Sequence, residues 1–333
     1  MKDRACWGVT EGRTSQAVAA RFNGTPARLL CTCAALATLL LGCREREVHR
    51  SKPAPFATES EVAQRLDPLA LAKAVQGTLQ VVDDHGTRTF ILSEILAKLT
   101  PRVVDTFDPY YQTNKRFVAV PLAELLRSWW PSSAEVPDTQ IEFSAVDGYK
   151  VRMSAQLAQS ERAFIAFFDV DHPPFAPITQ RKADPRPLYL FWSGNDWTNL
   201  ETHPRPWGIV SISKVHAGQG LKHVTPPGGF AESACAATGF QLFAAQCQRC
   251  HAINGEGGSL GPDLNIPRNI LDYRAEADVR AYIKDPATFR YGNMPAHPHL
   301  SEADLDQLVC YLREMGRHKF DPRRQPAKTE KGS

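Results

Sequence analysis

Cys247-Gln248-Arg249-Cys250-His251 is the stretch whose residue types and spacing can do chemistry. Two thiols one helical turn apart can each add to a vinyl group of a single porphyrin. The adjacent imidazole then reaches the iron from the proximal side. C-x-x-C-H is the attachment signature of c-type haem. A zinc half-site and a redox dithiol are the competing chemistries. A zinc site usually takes a second ligand pair, and no second Cys pair lies nearby in the sequence. A thioredoxin-like dithiol belongs beside a βαβ pattern, which does not follow here.

The elements around this stretch must hold it in place. Gly239-Phe240-Gln241-Leu242-Phe243 runs straight into the motif and reads as a helix. Val279, Tyr282 and Ile283 share one helical face, and that helix ends before Asp285-Pro286. Ser301 with Asp304 makes a helix start. Leu305, Leu308, Val309 and Leu312 then repeat at helical spacing. Two methionines lie in this part of the chain, Met294 in a loop and Met315 at the end of the last helix. A thioether is a soft iron ligand, and a Met/His pair raises the haem potential. Met294 is the distal candidate; His297, His299 or an open position are the alternatives.

From about 233 to 318 the chain resembles class I, mono-haem cytochromes c, on Gly239 to Phe243, the C-x-x-C-H, Gly261-Pro262-Asp263-Leu264 and Gly292-Asn293-Met294-Pro295. The resemblance implies an all-α domain carrying one covalent haem c through Cys247 and Cys250. It implies His251 and Met294 as axial ligands and the Pro262 carbonyl as acceptor for the other imidazole nitrogen. That bond orients the ring and raises its basicity. The resemblance also makes the first and last helices cross, with Gly239 allowing close approach and Tyr311 packing nearby. Cys235 and Cys310 lie on those two helices, so a disulfide between them is expected where the compartment is oxidising.

The chain has 333 residues, 43% hydrophobic and 23% charged, with net charge +3. That length suits two ordinary domains. The charge is too small to argue for nucleic acid. Arg21 and Arg28 precede the apolar run Leu29 to Leu41, followed by Gly42-Cys43. A basic flank, a short apolar core and a small residue before the cut describe a secretory signal over 1–42. Its end resembles the lipobox of bacterial lipoproteins, which implies cleavage before Cys43 and lipidation of that thiol. Residues 43–66, rich in Arg and Pro, read as the lipid anchor and tether. Of eight cysteines, Cys6, Cys31 and Cys33 fall in the signal segment.

Residues 67–216 read as mixed α and β. Thr78 to Val82 and Thr87 to Ile91 flank a hairpin turn at Asp83-Asp84-His85-Gly86. Ser93 opens a helix with Ile95 and Leu96 inward. Arg116 to Val120 is a strand, and Pro121 starts a helix carrying Leu122, Leu125 and Leu126 to about Trp130. Asp147-Gly148 joins the strands Gln140 to Val146 and Tyr149 to Ser154. Phe164 to Phe168, Leu188 to Trp192 and Trp207 to Ile212 are further strands. His85, His172, His203 and His216 sit in unrelated segments and read as ordinary surface or core residues. The same reading puts Trp129, Trp192, Trp197 and Trp207 in a core. Residues 217–232 read as a linker and 319–333 as a disordered tail.

The order Asp108-Pro109-Tyr110-Tyr111, Val118 to Leu126, Asp147-Gly148-Tyr149, Pro187 to Trp192 and Trp207 to Ile212 resembles a shortened molybdopterin-binding domain of sulfite-oxidase type, with its mixed sheet. Those enzymes hold molybdenum through a cysteine thiolate. No cysteine lies between Cys43 and Cys235, so the role passes to no residue here, and the domain is expected to be a scaffold without cofactor. The whole reads as a two-domain, membrane-anchored periplasmic electron carrier. Its expected partners are redox proteins of the periplasm or inner membrane, with no small-molecule substrate. A haem-bearing subunit of a molybdenum-type oxidoreductase complex and a haem-based sensor are the alternatives.

Overall fold

The computed structural model describes residues 67, 75–131, 138–216, 218–227, 234–290 and 292–324. The expected signal segment, tether and Cys43 lie outside the described residues, as does the end of the chain from 325.

Two sheets build the sheet-rich region. β1 (Thr78–Asp83) and β2 (Gly86–Ile91) form the hairpin expected around Asp84-His85. α1 (Leu92–Lys98) follows at once and buries Leu92, Ile95 and Leu96. Ser93 does not cap it: Ile91 is the N-cap, and the Leu92 amide donates to Gly77 O. Next come β3 (Arg102–Asp108), β4 (Thr113–Pro121) and α2 (Leu122–Trp129). β5 (Thr139–Ala145) turns into β6 (Lys150–Ser154), then the single turn α3 (Ala155–Ala158). β7 (Ala163–Asp169), β8 (Tyr189–Trp192) and β9 (Ile209–His216) complete the region.

The strands form two sheets, one mixed and one antiparallel. One sheet has the order β2-β1-β9-β5-β6, with β1 and β9 parallel; the other is β3-β4-β7-β8. All seven residues of β7 are buried. That fits its place between two apolar clusters. One cluster gathers α1, α2 and both sheets, and the second holds Phe117, Phe164, Tyr189 and Phe191. β3 escapes sequence reading for a physical reason. It is an edge strand whose fully buried side chains are the polar Thr106 and Asp108. Its place comes from backbone pairing with β4, not from an apolar stripe.

The C-terminal part is helical. α4 (Ala234–Gln246) and α6 (Glu302–Arg317) cross, with α5 (Glu276–Lys284) and the short pair β10 (Ala252–Ile253) and β11 (Glu256–Gly257) alongside. A Cβ on Gly239 would fall 2.0 Å from Gln307 O, so only hydrogen lets the helices approach this closely. Phe240 and Phe243 pack on Tyr311 at centroid distances of 5.9 and 5.4 Å. Burying a Phe or Leu fully contributes roughly 1.5–3 kcal/mol, and Phe243, Leu305, Leu308 and Leu312 are all buried at this crossing. Ser301 and Asp304 form a reciprocal capping box at the start of α6. A disulfide joins Cys235 on α4 to Cys310 on α6, with Cα atoms 6.0 Å apart.

Two segments are held more closely than their Gly and Pro content implies. The described part of 217–232 packs on the helical core. Val224 is fully buried in the helical core, its carbonyl accepts from Tyr311 Oη at 2.6 Å, and the amides of His223 and Val224 donate to Glu256. Residues 319–324 of the expected disordered tail are placed too. Phe320 stacks on His223 at 3.5 Å, and Pro322–Arg324 form a 3-10 turn. The Gly and Pro content of both segments signals turns, but it is the burial of single apolar side chains that fixes them.

Candidate functional site

α4 delivers the motif as one more helical turn. The amides of Cys247 and Gln248 donate to Phe243 O at 2.8 Å, and His251 N donates to Cys247 O at 2.9 Å. Both thiols and the imidazole therefore come from one short turn. Neither thiol is bridged. Burial pushes the Cys247 thiol up to about 12. Burial, then the Asp147 carboxylate, pushes Cys250 up to about 11.

The loop after the motif wraps back on it. Gly258 N donates to Gln248 O, Gly261 N to Cys250 O and Leu264 N to Ala252 O, at 2.7–2.9 Å. This brings Pro262 O to 2.8 Å from His251 Nδ1. A carbonyl only accepts, so Nδ1 carries the proton and Nε2 keeps its lone pair. Burial holds the imidazole below the usual histidine range against the opposing pull of the Pro262 bond, so the ring is neutral near pH 7. Gly261 lies flat against the ring: a Cβ there would meet His251 Cε1 at 2.3 Å.

On the distal segment Met294 is half-buried. His297 is buried, with its amide bonded to Ile283 O and its ring 5.8 Å from that of His299. Burial, then His299, holds His297 below the usual histidine range, while the Glu201 carboxylate opposes. Among the described residues no three His, Cys, Asp or Glu side chains cluster to hold a metal ion. His216 instead pairs with Asp84, and His203 packs on Trp192 and Trp197.

Three asparagines, absent from the sequence expectations, brace the loop from behind. Asn265 Nδ2 donates to Asn254 Oδ1 and Met315 O; Asn269 Nδ2 donates to Asn265 Oδ1 and Leu312 O, all at 2.7–2.8 Å. Asn254 donates to His223 O and His318 O and accepts from Phe320 N. These bonds reach the Leu312 and Met315 carbonyls in the last turns of α6 and the His318 carbonyl just past its end, and tie in the 218–227 strap and the tail. The Asn254-Gly255 pair signals a turn; nothing local signals the ladder.

A cytochrome c family model matches residues 236–316. That segment is a cytochrome c domain. Cytochrome c oxidase subunit 2 of Alkalihalophilus pseudofirmus is 35% identical to the chain over 85 residues, 23% of this chain and 25% of that protein. Lupanine 17-hydroxylase [cytochrome c] of a Pseudomonas species is 39% identical over 82 residues, 24% of this chain and 11% of that protein. The chain thus spans a quarter or less of these curated relatives. The cofactor of a cytochrome c domain is covalently bound haem c, and its work is electron transfer. Two unbridged thiols and an imidazole with Nε2 free, all from one turn, fit that group. Among the described residues no helix is long and apolar enough to cross a membrane.

Proposed function

We propose that the chain is an exported, membrane-anchored carrier of single electrons whose haem is held by Cys247, Cys250, His251 and Met294. The His251 Nδ1–Pro262 O bond of 2.8 Å carries the reading, because it fixes the tautomer a ligating imidazole needs. The bound haem supplies one-electron exchange between Fe(II) and Fe(III). The thiols of Cys247 and Cys250 would tie its periphery to α4. His251 would present Nε2 with its ring angle set by Pro262 and Gly261. Met294 Sδ would close the sixth position, which leaves no room for a substrate and favours the reduced state. The oxidised protein should show the far-red sulfur-to-iron charge-transfer band, and Met294→Ala should abolish it while letting the reduced protein bind carbon monoxide. A band that survives Met294→Ala, or a wild-type protein that binds carbon monoxide without the band, sinks this assignment and favours a sensor.

The domain reading places a signal at 1–42, a lipid anchor and tether at 43–66, a sheet-rich scaffold at 67–216 and the haem domain at 233–318. Cys43→Ser should move the protein from the membrane to the soluble fraction; unchanged membrane association rules out the lipid anchor. The sheet-rich scaffold, read as a sulfite-oxidase-type domain, has no thiolate to hold molybdenum. Elemental analysis of the purified chain should find iron alone, and stoichiometric molybdenum would reverse the reading. A second reading makes the chain the haem subunit of an oxidoreductase complex. It is favoured by partial matches to proteins named as a cytochrome c oxidase subunit and a lupanine 17-hydroxylase. Stable co-purification with a catalytic partner separates it from a free carrier.

A further inference from the structure

The β5–β6 turn of the sheet-rich region lies directly on the haem-attachment segment. Lys150 N donates to Arg249 O at 2.9 Å, and Ser259 N donates to Gly148 O at 2.8 Å. These two backbone bonds join regions that no helix or sheet connects. The Arg249 guanidinium reaches the β8–β9 loop of the same region, donating to Leu200 O at 3.4 Å and Glu201 O at 3.1 Å. It also stands beside the Tyr149 phenol. Gly148, at φ 89°, is the point of closest approach in that turn. A Cβ there would fall 2.3 Å from Ser259 Oγ and 2.9 Å from the Ser259 carbonyl carbon. The strap between the regions is pinned on both sides, with Gln219 O accepting from Arg152 at 2.8 Å and Val224 buried in the helical core.

We propose that the sheet-rich region is a fixed clasp on the haem-attachment segment, with Arg249 as its positioning residue, and that it closes the Cys250 side of the haem periphery to outside redox partners. The inference rests on the haem assignment above. A haem tied through Cys247 and Cys250 would be held at its periphery, so whatever covers Gln248 to Cys250 would cover an edge through which electrons could pass. Arg249 lies between the two cysteines yet spends its donors on the neighbouring region. The segment that carries the haem is therefore also the segment that carries the contact. Partners are left the haem edges remote from the β5–β6 turn.

Amide hydrogen exchange on the holoprotein tests the clasp directly. In the wild type, Lys150 and Ser259 should exchange far more slowly than the exposed turn amides of Asp147 and Asp84. Gly148→Val and Arg249→Ala should each speed exchange at both positions by about tenfold or more. α4 and α6 should stay protected. Arg249→Lys should behave like Arg249→Ala, because a point charge cannot replace a planar fork aimed at two carbonyls. Gly86→Ala, also at positive φ but touching nothing, should match the wild type. Reduction by hexaammineruthenium(II) should run several-fold faster in the two unclasped variants. Fast exchange of Lys150 and Ser259 in the wild type overturns the clasp. Faster exchange with an unchanged reduction rate overturns its role in access. The far-red band, read in every variant, reports the axial pair separately, so a failed clasp and a failed haem assignment give different results.

Discussion

In the sheet-rich region Asp108, Lys115, Asp169 and Arg205 are all buried, whereas the buried polar residues of the cytochrome c domain, among those described, are Asn254, Asn265, Asn269 and His297. Asp108 accepts from the amides of Tyr110 and Tyr111, from Tyr189 Oη at 2.6 Å and from Arg205 at 3.3 Å. Arg205 also donates to the carbonyls of Trp192 and Trp197. Asp169 gathers three amides and the Lys115 ammonium at 2.5 Å. The region thus knots its loops with charge. In the cytochrome c domain the fully buried bracing is done by neutral amides, while the loop-tying carboxylates Glu256 and Asp263 are only partly buried. The difference makes sense where an iron changes charge. A fixed ion in a medium of low permittivity acts over a long range and would bias the couple, while an amide ladder braces the loop without adding net charge.

Breaking the ionic side should cost most. Asp108→Ala strands the Arg205 guanidinium, and losing one partner of a buried pair costs about 3–5 kcal/mol. Thermal denaturation should show a large fall in Tm, with the haem spectrum of the folded protein unchanged. A haem spectrum that changes with it would show that the two regions are not energetically separate.

The neutral side is tested by Asn265, with two outcomes. Asn265→Leu removes two buried donations and leaves one buried Asn269 N–H without its acceptor, a loss of about 1–3 kcal/mol visible in chemical denaturation. Asn265→Asp keeps the shape and adds a negative charge. That charge favours Fe(III), so a redox titration should give a lower midpoint potential than for Asn265→Leu. Equal potentials in the two variants would remove the electrostatic reason for a neutral lining.

The smallest effect is in pH. His297 is held below the usual histidine range by burial and by His299, against Glu201. The unfolded chain therefore takes up the proton first as pH falls below about 6.5. The stability contributed by neutral His297 is complete above that value and declines as pH drops toward the lowered folded value. His297→Phe should flatten this slope between neutral and mildly acidic pH; an unchanged slope would place its origin elsewhere.

Much of the chemistry and local structure is written in short stretches. Cys247 to His251 needs only its own spacing to suggest haem, and Pro262 follows eleven residues later within the loop that folds back on it. The capping box at Ser301, the Asp147-Gly148 turn and the apolar face of Leu305 to Leu312 are local too, because their partners lie within a turn or two. Cys235 and Cys310 could be paired only through a resemblance that crosses their helices, since 75 residues separate them. Other features have no local signature at all. β3 is placed by backbone pairing across the sheet, Val224 by a core formed some ninety residues downstream, and the asparagine ladder by α6 carbonyls that reach it only once α6 is docked.

The amino-acid sequence alone therefore determined which group does the chemistry and which helices hold it, because thioether attachment and helix caps depend on neighbours in the chain. Tertiary structure decided how the two regions meet. Arg249 reads as an arbitrary filler between two cysteines, and only folding brings Leu200, Glu201 and Lys150 to it. Hydrogen bonds between such distant backbones are specified by no single stretch, so the partner of the haem-attachment segment became visible only in three dimensions.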